Sequence, residues 1–260
     1  MQLTLRIFLA ILLAHLLADF PLQTDAMVAA KKNQKLPFLK HGLLHFVTLL
    51  VVLALFTDVP LWSLQTVVLL ATYIVLHIVL DLGKSQVVRR KIARDSVWLF
   101  LLDQALHLAA ILALTWMFTK YRWADGRATI AWSDSEQLHV LAVAVLYVAV
   151  IFGGGYLVRY LTRSLTLQLP HSEEESAADI RNAGLYIGWL ERFLVLTAVL
   201  VQSPAMIGLI LTGKSIARFP ELKGARFAEY FLIGTFLSIS LALLGGIVLS
   251  RVLFGAVSFK

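Results

Sequence analysis

Two pairs of potential metal ligands occur early in the chain, and both pairs recur further on at a constant offset. The two residues of each pair are four apart, and every member of the second set follows its counterpart by 62 positions. Residues four apart share one face of a helix, and zinc, iron and manganese accept imidazole and carboxylate ligands. The spacing therefore predicts one buried metal site lined by His15, Asp19, His41, His45, His77, Asp81, Asp103 and His107.

The clustering of three aspartates favours a bound cation over simple packing. A single intramembrane histidine or aspartate can serve as a hydrogen-bonded packing residue, but ionisable groups within a membrane are costly and usually functional. Three carboxylates buried together need protons or cations to offset their charge. We expect one or two divalent ions of zinc, iron or manganese, while a proton relay or a solute path through the same residues remains the alternative.

The elements that must position these residues are membrane helices. The chain has 260 residues, of which 59% are hydrophobic and 15% are charged, and its mean hydropathy is +0.81. Its apolar runs are long enough to cross a bilayer, which takes roughly 20 helical residues. The chain contains no cysteine, so thiolate ligands and a cysteine nucleophile are excluded.

The predicted fold is an all-α, polytopic bundle of seven or eight transmembrane helices. A duplicated helical hairpin, with repeats at about 1–57 and 63–118, is expected to form an N-terminal four-helix bundle whose ligand pairs face inward. Residues 119–260 are expected to hold the remaining spans and a hydrophilic loop at about 164–183. The individual spans are predicted at about 3–20, 41–57, 63–82, 97–118, 138–161, 184–201, 204–219 and 230–250.

The distribution of positive charge predicts the orientation. Lysine and arginine concentrate in the loops at 21–40, 83–96, 159–183 and 214–229, and basic loops face the cytoplasm. The metal site is then expected near the cytoplasmic face, with both termini outside. The net charge of +7 is explained by these loops, so the lipid bilayer is the expected partner and no nucleic acid is predicted.

Further polar residues surround the predicted site. Gln23 and Gln104 neighbour the ligand pairs and are candidates to support them by hydrogen bonds. Glu191 is a buried acid within an apolar span, for which Lys214 or Arg218 is the expected partner. Four basic residues are candidates to bind an anionic group, namely Lys84, Arg192, Lys214 and Arg218.

These residues resemble an uncharacterised bacterial integral-membrane family, domain of unknown function 3307. The resemblance rests on His15-Leu-Leu-Ala-Asp19-Phe-Pro-Leu-Gln23, the His41/His45 pair, His77-x-x-x-Asp81 with Lys84, and Asp103-Gln-x-x-His107. In the second half, 184–192, 214–219 and 229–235 resemble longer members. The resemblance implies a multi-pass protein of the bacterial inner membrane, and it brings no established activity.

The leading functional hypothesis is a membrane metal-dependent hydrolase. A two-metal site near the lipid head groups, with cations around it, suits hydrolysis of an ester or phosphoester in an amphipathic, lipid-like or anionic substrate. A di-iron oxidase or hydroxylase, a divalent-metal or proton-coupled transporter and a structural metal-bound subunit are the alternatives. A homo-oligomer is compatible with the sequence.

Overall fold

The computed structural model describes residues 2–31, 34–120, 133–166, 176–220, 222 and 224–255. Within these ranges the regular elements are helices, as the sequence predicted, and no strand occurs. In chain order they are α1 (Gln2–Asp19), α2 (Asp25–Lys31), α3 (Leu36–Phe56), α4 (Leu64–Arg89), α5 (Val97–Lys120), α6 (Asp134–Val148), a π-helix (Ala149–Gly153), α7 (Gly154–Thr166), α8 (Ser176–Leu200), α9 (Pro204–Ala217) and α10 (Ala225–Phe254).

Six helical stretches of the described chain are long and apolar enough to cross a membrane. They are α1, α3, α4, α5, the continuous stretch Ser135–Leu165 and α10. The predicted sixth and seventh spans correspond to α8 and to α9, which has only 14 residues and extends about 21 Å. These features are those of a multi-pass helical membrane protein, and counting α8 and α9 as spans gives eight, the higher of the two predicted numbers.

The chain divides into two compact units, Met1–Val145 and Leu146–Lys260. This division lies later than the 118/119 boundary drawn from the sequence. One contact explains part of the difference, because Gln137 near the start of α6 accepts a hydrogen bond of 2.9 Å from Arg6 of α1. The first turns of α6 therefore belong to the N-terminal unit.

The four long helices of the N-terminal unit pack as a ring. Helix α1 contacts α3 and α5, and α4 contacts the same two helices. Local sequence sets where the later helices begin: Pro37 lies in the first turn of α3, and Ser63 caps α4 by accepting from the backbone N–H of Thr66 at 3.1 Å. The ring brings one face of each helix to a common interior.

The helices α1 and α4 end differently. Helix α1 stops at Asp19, two residues before Pro21, since proline disfavours helix at the residue before it. Helix α4 continues through Gly83 to Arg89, although the sequence prediction ended the third span near residue 82. A glycine weakens a helix interior without breaking it, and here the helix carries Lys84 onto the same face as Asp81.

The C-terminal unit is built around α8 and α10. Helix α10 packs against α7, α8 and the π-helix, and a Cβ atom on Gly246 would lie only 2.8 Å from Val199 Cβ. Of the predicted hydrophilic loop at 164–183, residues 164–166 are the end of α7. Residues 167–175 lie outside the described residues, and 176–183 already belong to α8, so the loop ends earlier than expected.

Candidate metal centre

The ring of helices gathers the eight predicted ligands into one cluster. The five histidine residues are 0% to 2% exposed, and the ring centroids of His45 and His77 are only 3.8 Å apart. The side chains of Asp19, Asp81 and Asp103 are 11%, 14% and 7% exposed. Each helix contributes two residues four positions apart. Both residues lie on the one face that the helix turns toward the interior of the ring.

The tightest part of the cluster is a triangle of three donor atoms. Asp19 Oδ1 lies 2.9 Å from His45 Nε2 and 3.0 Å from His41 Nε2, and the two Nε2 atoms are 3.2 Å apart. Ligand atoms around one tetrahedral zinc ion stand about 3.3 Å apart at the usual bond lengths. With little rearrangement, the two histidine nitrogens can therefore either donate hydrogen bonds to Asp19 Oδ1 or bind one cation together with it.

The ring of His77 lacks hydrogen-bond partners although it is fully buried. Neither Nδ1 nor Nε2 of His77 has a hydrogen-bond partner among the residues that the structure describes. Its Nε2 lies between two carboxylates, 3.7 Å from Asp19 Oδ1 and 4.0 Å from Asp81 Oδ2. An unsatisfied buried polar group costs about 1–3 kcal/mol, and a cation between these groups would remove that cost.

His107 has the orientation that is usual for a metal ligand. Its Nδ1 donates a hydrogen bond of 2.8 Å to the main-chain oxygen of Asp103, which fixes the proton on Nδ1 and leaves the Nε2 lone pair free in the neutral ring. That Nε2 has no hydrogen-bond partner in the described part of the chain, and it lies 3.9 Å from Asp81 Oδ1.

Both carboxylates of the second repeat pair with ammonium groups, one from each repeat. Lys31 Nζ lies 2.5 Å from Asp81 Oδ2, and Lys84 Nζ lies 2.9 Å from Asp103 Oδ2. Lys84 neutralises the carboxylate of Asp103, and its predicted role in binding an anion stays a prediction. Asp103 is thus turned partly away from the histidines, and its Oδ1 is 3.8 Å from His107 Nδ1.

The two glutamines occupy supporting positions. With its amide oriented to satisfy both neighbours, Gln23 donates to the main-chain oxygen of Asp19 at 3.2 Å and accepts from Lys31 Nζ at 2.6 Å. Gln104 Nε2 donates to Asp103 Oδ2 at 3.3 Å. Gln23 therefore contacts the cluster through Asp19 and Lys31, and Gln104 contacts it through Asp103.

The donor atoms suit one or two divalent transition ions. They form three overlapping groups, each with ligand atoms within 4.8 Å of one another: His15, Asp19, His45 and His77; His41, His77 and Asp81; and Asp81, Asp103 and His107. His77 and Asp81 each belong to two groups, so adjacent ions could share them. Nitrogen-rich sites with carboxylates favour zinc, iron or manganese.

The remaining predicted residues belong to the C-terminal unit. Glu191 Oε2 accepts from Lys214 Nζ at 2.6 Å, which confirms one of the two partners expected for this acid. Arg192 donates from Nε to the main-chain oxygen of Ile151 and from Nη1 to Ser238 Oγ. Arg218 follows the end of α9. The anion-binding role of these basic residues stays a prediction.

Sequence reasoning did not single out two residues of the cluster. Lys31 stands on the short helix α2, outside the predicted spans, and no periodic pattern connected it to Asp81. Tyr73 contacts the cluster through its hydroxyl, 3.3 Å from His15 Nδ1. Its position four residues before His77 was a usable signal, since the two side chains share a helix face.

Comparisons with known proteins support the family resemblance and nothing more specific. No curated protein and no solved structure matches the chain. Residues 7–133, which include all eight clustered ligands, match the model of the family described as "Protein of unknown function (DUF3307)". This segment, just under half of the chain, is therefore similar to the family DUF3307.

Proposed function

We propose that this protein is a membrane-embedded metalloenzyme that hydrolyses an ester or phosphoester of an amphipathic substrate. The metal would be held by Asp19, His41, His45 and His77, with a second position at Asp81 and His107. His15 and Asp103 would complete the surroundings. We further propose the bacterial inner membrane as its location, with the site toward the cytoplasmic side because the loops at 21–40 and 83–96 are basic.

One observation carries the proposal: His77 is buried between Asp19 and Asp81 without a hydrogen-bond partner in the described chain. A structural polar network would be expected to satisfy such a ring. The neighbouring triangle of Asp19, His41 and His45 already has the spacing of shared ligands. Together these features support a cation site more strongly than a hydrogen-bonded core.

A divalent ion at this position supplies a Lewis acid and lowers the pKa of bound water. The protein would contribute orientation and charge balance. Tyr73 contacts His15 Nδ1 and leaves His15 Nε2 directed at Asp19 Oδ2, 3.4 Å away. The main-chain oxygen of Asp103 holds His107 in one tautomer. The ligands are therefore held in position before a substrate arrives.

The depth of the cluster supports an amphipathic substrate. Asp19 is the last residue of α1, and His41 lies in the second turn of α3, so both stand near one end of their membrane helices. Head groups of lipids occupy that level of a bilayer. This position fits an amphipathic substrate. Its polar group would reach the site, and its apolar part would stay among the exposed leucines of these helices.

Cation transport is less well supported by the other end of the same bundle. Arg6 lies nine residues before His15 on α1, about 14 Å along the helix. Its guanidinium pairs with Asp58 Oδ2 at 2.8 Å and donates to Gln137 at 2.9 Å. Among the described residues, every group of potential metal ligands includes His77 or Asp81, and none includes a residue of this end.

Metal analysis of the purified full-length chain tests the metal site. We expect about one or two equivalents of zinc, iron or manganese in detergent-purified protein, and a fall of most of that content in His45→Ala. His139→Ala is the matched control, because His139 is exposed and lies outside the cluster. Less than about one equivalent, unchanged by His45→Ala, would remove the basis of the proposal.

Hydrolysis is tested separately with amphipathic carboxylic and phosphate esters. We expect turnover that is lost on chelation, restored by the native metal and absent in His45→Ala. A metal-loaded protein without turnover, but with the spectroscopic signature of coupled iron ions, would replace the hydrolase with a di-iron oxidase.

A further inference from the structure

Lys31 brings a positive charge into the cluster from outside the membrane helices. Its side chain is only 13% exposed, and its Nζ lies 2.5 Å from Asp81 Oδ2 and 5.4 Å from the centre of the Phe38 ring. The oriented amide of Gln23 accepts a further hydrogen bond from it at 2.6 Å. Three contacts thus hold this ammonium group beside Asp81.

The carboxylates of the two repeats differ in the charge of their partners. Within the described residues, the ion-pair partners of Asp19 are four histidines. Asp81 and Asp103 also lie within 4.0 Å of histidine nitrogens, but each has a lysine partner in addition, Lys31 for Asp81 and Lys84 for Asp103. A lysine that only balanced the charge of Asp81 would be redundant, and unfavourable, once a divalent ion bound at that carboxylate.

Counting charges shows what would make the lysines compatible with metal. With neutral histidines, three aspartates and two lysines give the cluster a net charge of −1. One divalent ion changes the sum to +1, and two change it to +3. A buried excess of positive charge is unfavourable, and an anion with one to three negative charges would neutralise it. A phosphate monoester carries about two.

We propose that Lys31 is the residue that binds an anionic phosphate oxygen at the metal centre. The inference rests on the proposed function and names its substrate class. The ammonium group pairs with Asp81; with metal bound at that carboxylate, it would turn to the phosphate oxygen while Gln23 continues to hold it. Lysine binds phosphate as a point charge on a flexible side chain.

Phosphate binding to the Mn²⁺-loaded full-length chain tests this role. The protein is placed in phosphatidylcholine nanodiscs, and broadening of the ³¹P signal of inorganic phosphate by bound Mn²⁺ gives the apparent Kd. Losing one charged hydrogen bond should weaken phosphate binding about 10- to 100-fold in Lys31→Gln. Lys35→Gln, which removes an exposed lysine nearby, should leave the Kd unchanged.

Two further measurements separate anion binding from structural support. Mn²⁺ affinity should be unchanged or tighter in Lys31→Gln, because a cation competing for Asp81 has been removed. Lys31→Arg should retain phosphate binding within about threefold, since the charge is kept. Loss of Mn²⁺ binding in Lys31→Gln, or equal loss of phosphate binding in Lys31→Arg and Lys31→Gln, would overturn the inference.

The same experiment distinguishes the source of the phosphate. If phosphatidate added to the nanodiscs raises the apparent Kd of inorganic phosphate in a Lys31-dependent manner, the ligand is a lipid head group. If it has no effect, the ligand is a soluble phosphate. Bound Mn²⁺ with equal phosphate affinity in Lys31→Gln would overturn only this inference, whereas no Mn²⁺ binding by the unsubstituted chain would overturn the proposed function as well.

Discussion

The two helical hairpins of the N-terminal unit carry ligands at the same spacing, yet they surround their carboxylates differently. In the first hairpin, Asp19 contacts histidines at distances down to 2.9 Å. In the second, Asp81 and Asp103 contact lysines at 2.5 Å and 2.9 Å. Asp19 therefore lies on a histidine-rich side of the cluster, whereas Asp81 and Asp103 each pair with a lysine in addition to histidines.

Two sequence differences between the repeats account for the contact of Asp103 with Lys84. His41 in the first repeat corresponds to Asp103 in the second, which exchanges an imidazole for a carboxylate. Pro21 corresponds to Gly83, and this pair decides whether the first helix of the hairpin stops or continues. Because α4 continues past Gly83, Lys84 is held on the helix face that meets Asp103.

The largest expected effect is on metal affinity, when Asp19 or its counterpart in the second repeat, Asp81, is replaced by asparagine. Asp19→Asn should lower metal affinity at least about 100-fold, because Asp19 contacts four of the histidines. Asp81→Asn should lower it by about tenfold, because Lys31 already neutralises that carboxylate. Competition with a chelator of known affinity measures both constants on the full-length protein. Equal losses in the two variants would show that the repeats contribute alike.

A smaller effect is expected from removing the lysine that balances Asp103. In the presence of chelator, Lys84→Met should lower the free energy of unfolding by about 2 kcal/mol. Breaking a fully buried pair costs about 3–5 kcal/mol, but the side chain of Lys84 is 28% exposed. Lys40→Met, at an exposed lysine, is the control and should change stability by less than about 0.5 kcal/mol.

The double variant Lys84→Met/Asp103→Asn checks that the effect belongs to the ion pair. Residues in direct contact give non-additive effects, so the double variant should lose less stability than the two single variants together. Strict additivity would mean that Lys84 and Asp103 do not stabilise each other.

The smallest expected effect is a change in stability at Gly83, the residue through which α4 continues. Gly83→Ala should raise the free energy of unfolding by about 0.5–1 kcal/mol, since alanine favours a helix interior over glycine and its Cβ would meet no described atom within 4 Å. Thermal unfolding in detergent measures the change. Lower stability, or altered metal content, would indicate that the second repeat also requires a break at this position.

Much of the bundle and its cluster could be predicted from the sequence. Uninterrupted apolar runs predicted the helices, and a spacing of four residues predicted which side chains share a face, as His41 and His45 do. The offset of 62 positions between the repeats predicted that four such faces meet. Glu191 was expected to find a basic partner because a lone buried acid is unfavourable, and Lys214 is that partner.

The rest depended on contacts between distant residues, which periodicity does not encode. Nothing in the sequence connected Lys31 with Asp81, because α2 is short and lies outside the apolar runs. The contact of Arg6 with Gln137 spans 131 positions and moved the unit boundary. The end of α4 was misplaced because a glycine can either cap a helix or lie within it.

The position of the metal tests the central claim most directly. Anomalous diffraction at the metal absorption edge, from crystals of the purified protein, would locate the ion and its ligands. We expect an ion within about 2.0–2.2 Å of Asp19, His41 and His45, on the histidine-rich side of the cluster. An ion bound only to Asp81 and Asp103, or no anomalous signal within the bundle of a metal-replete protein, would contradict the account.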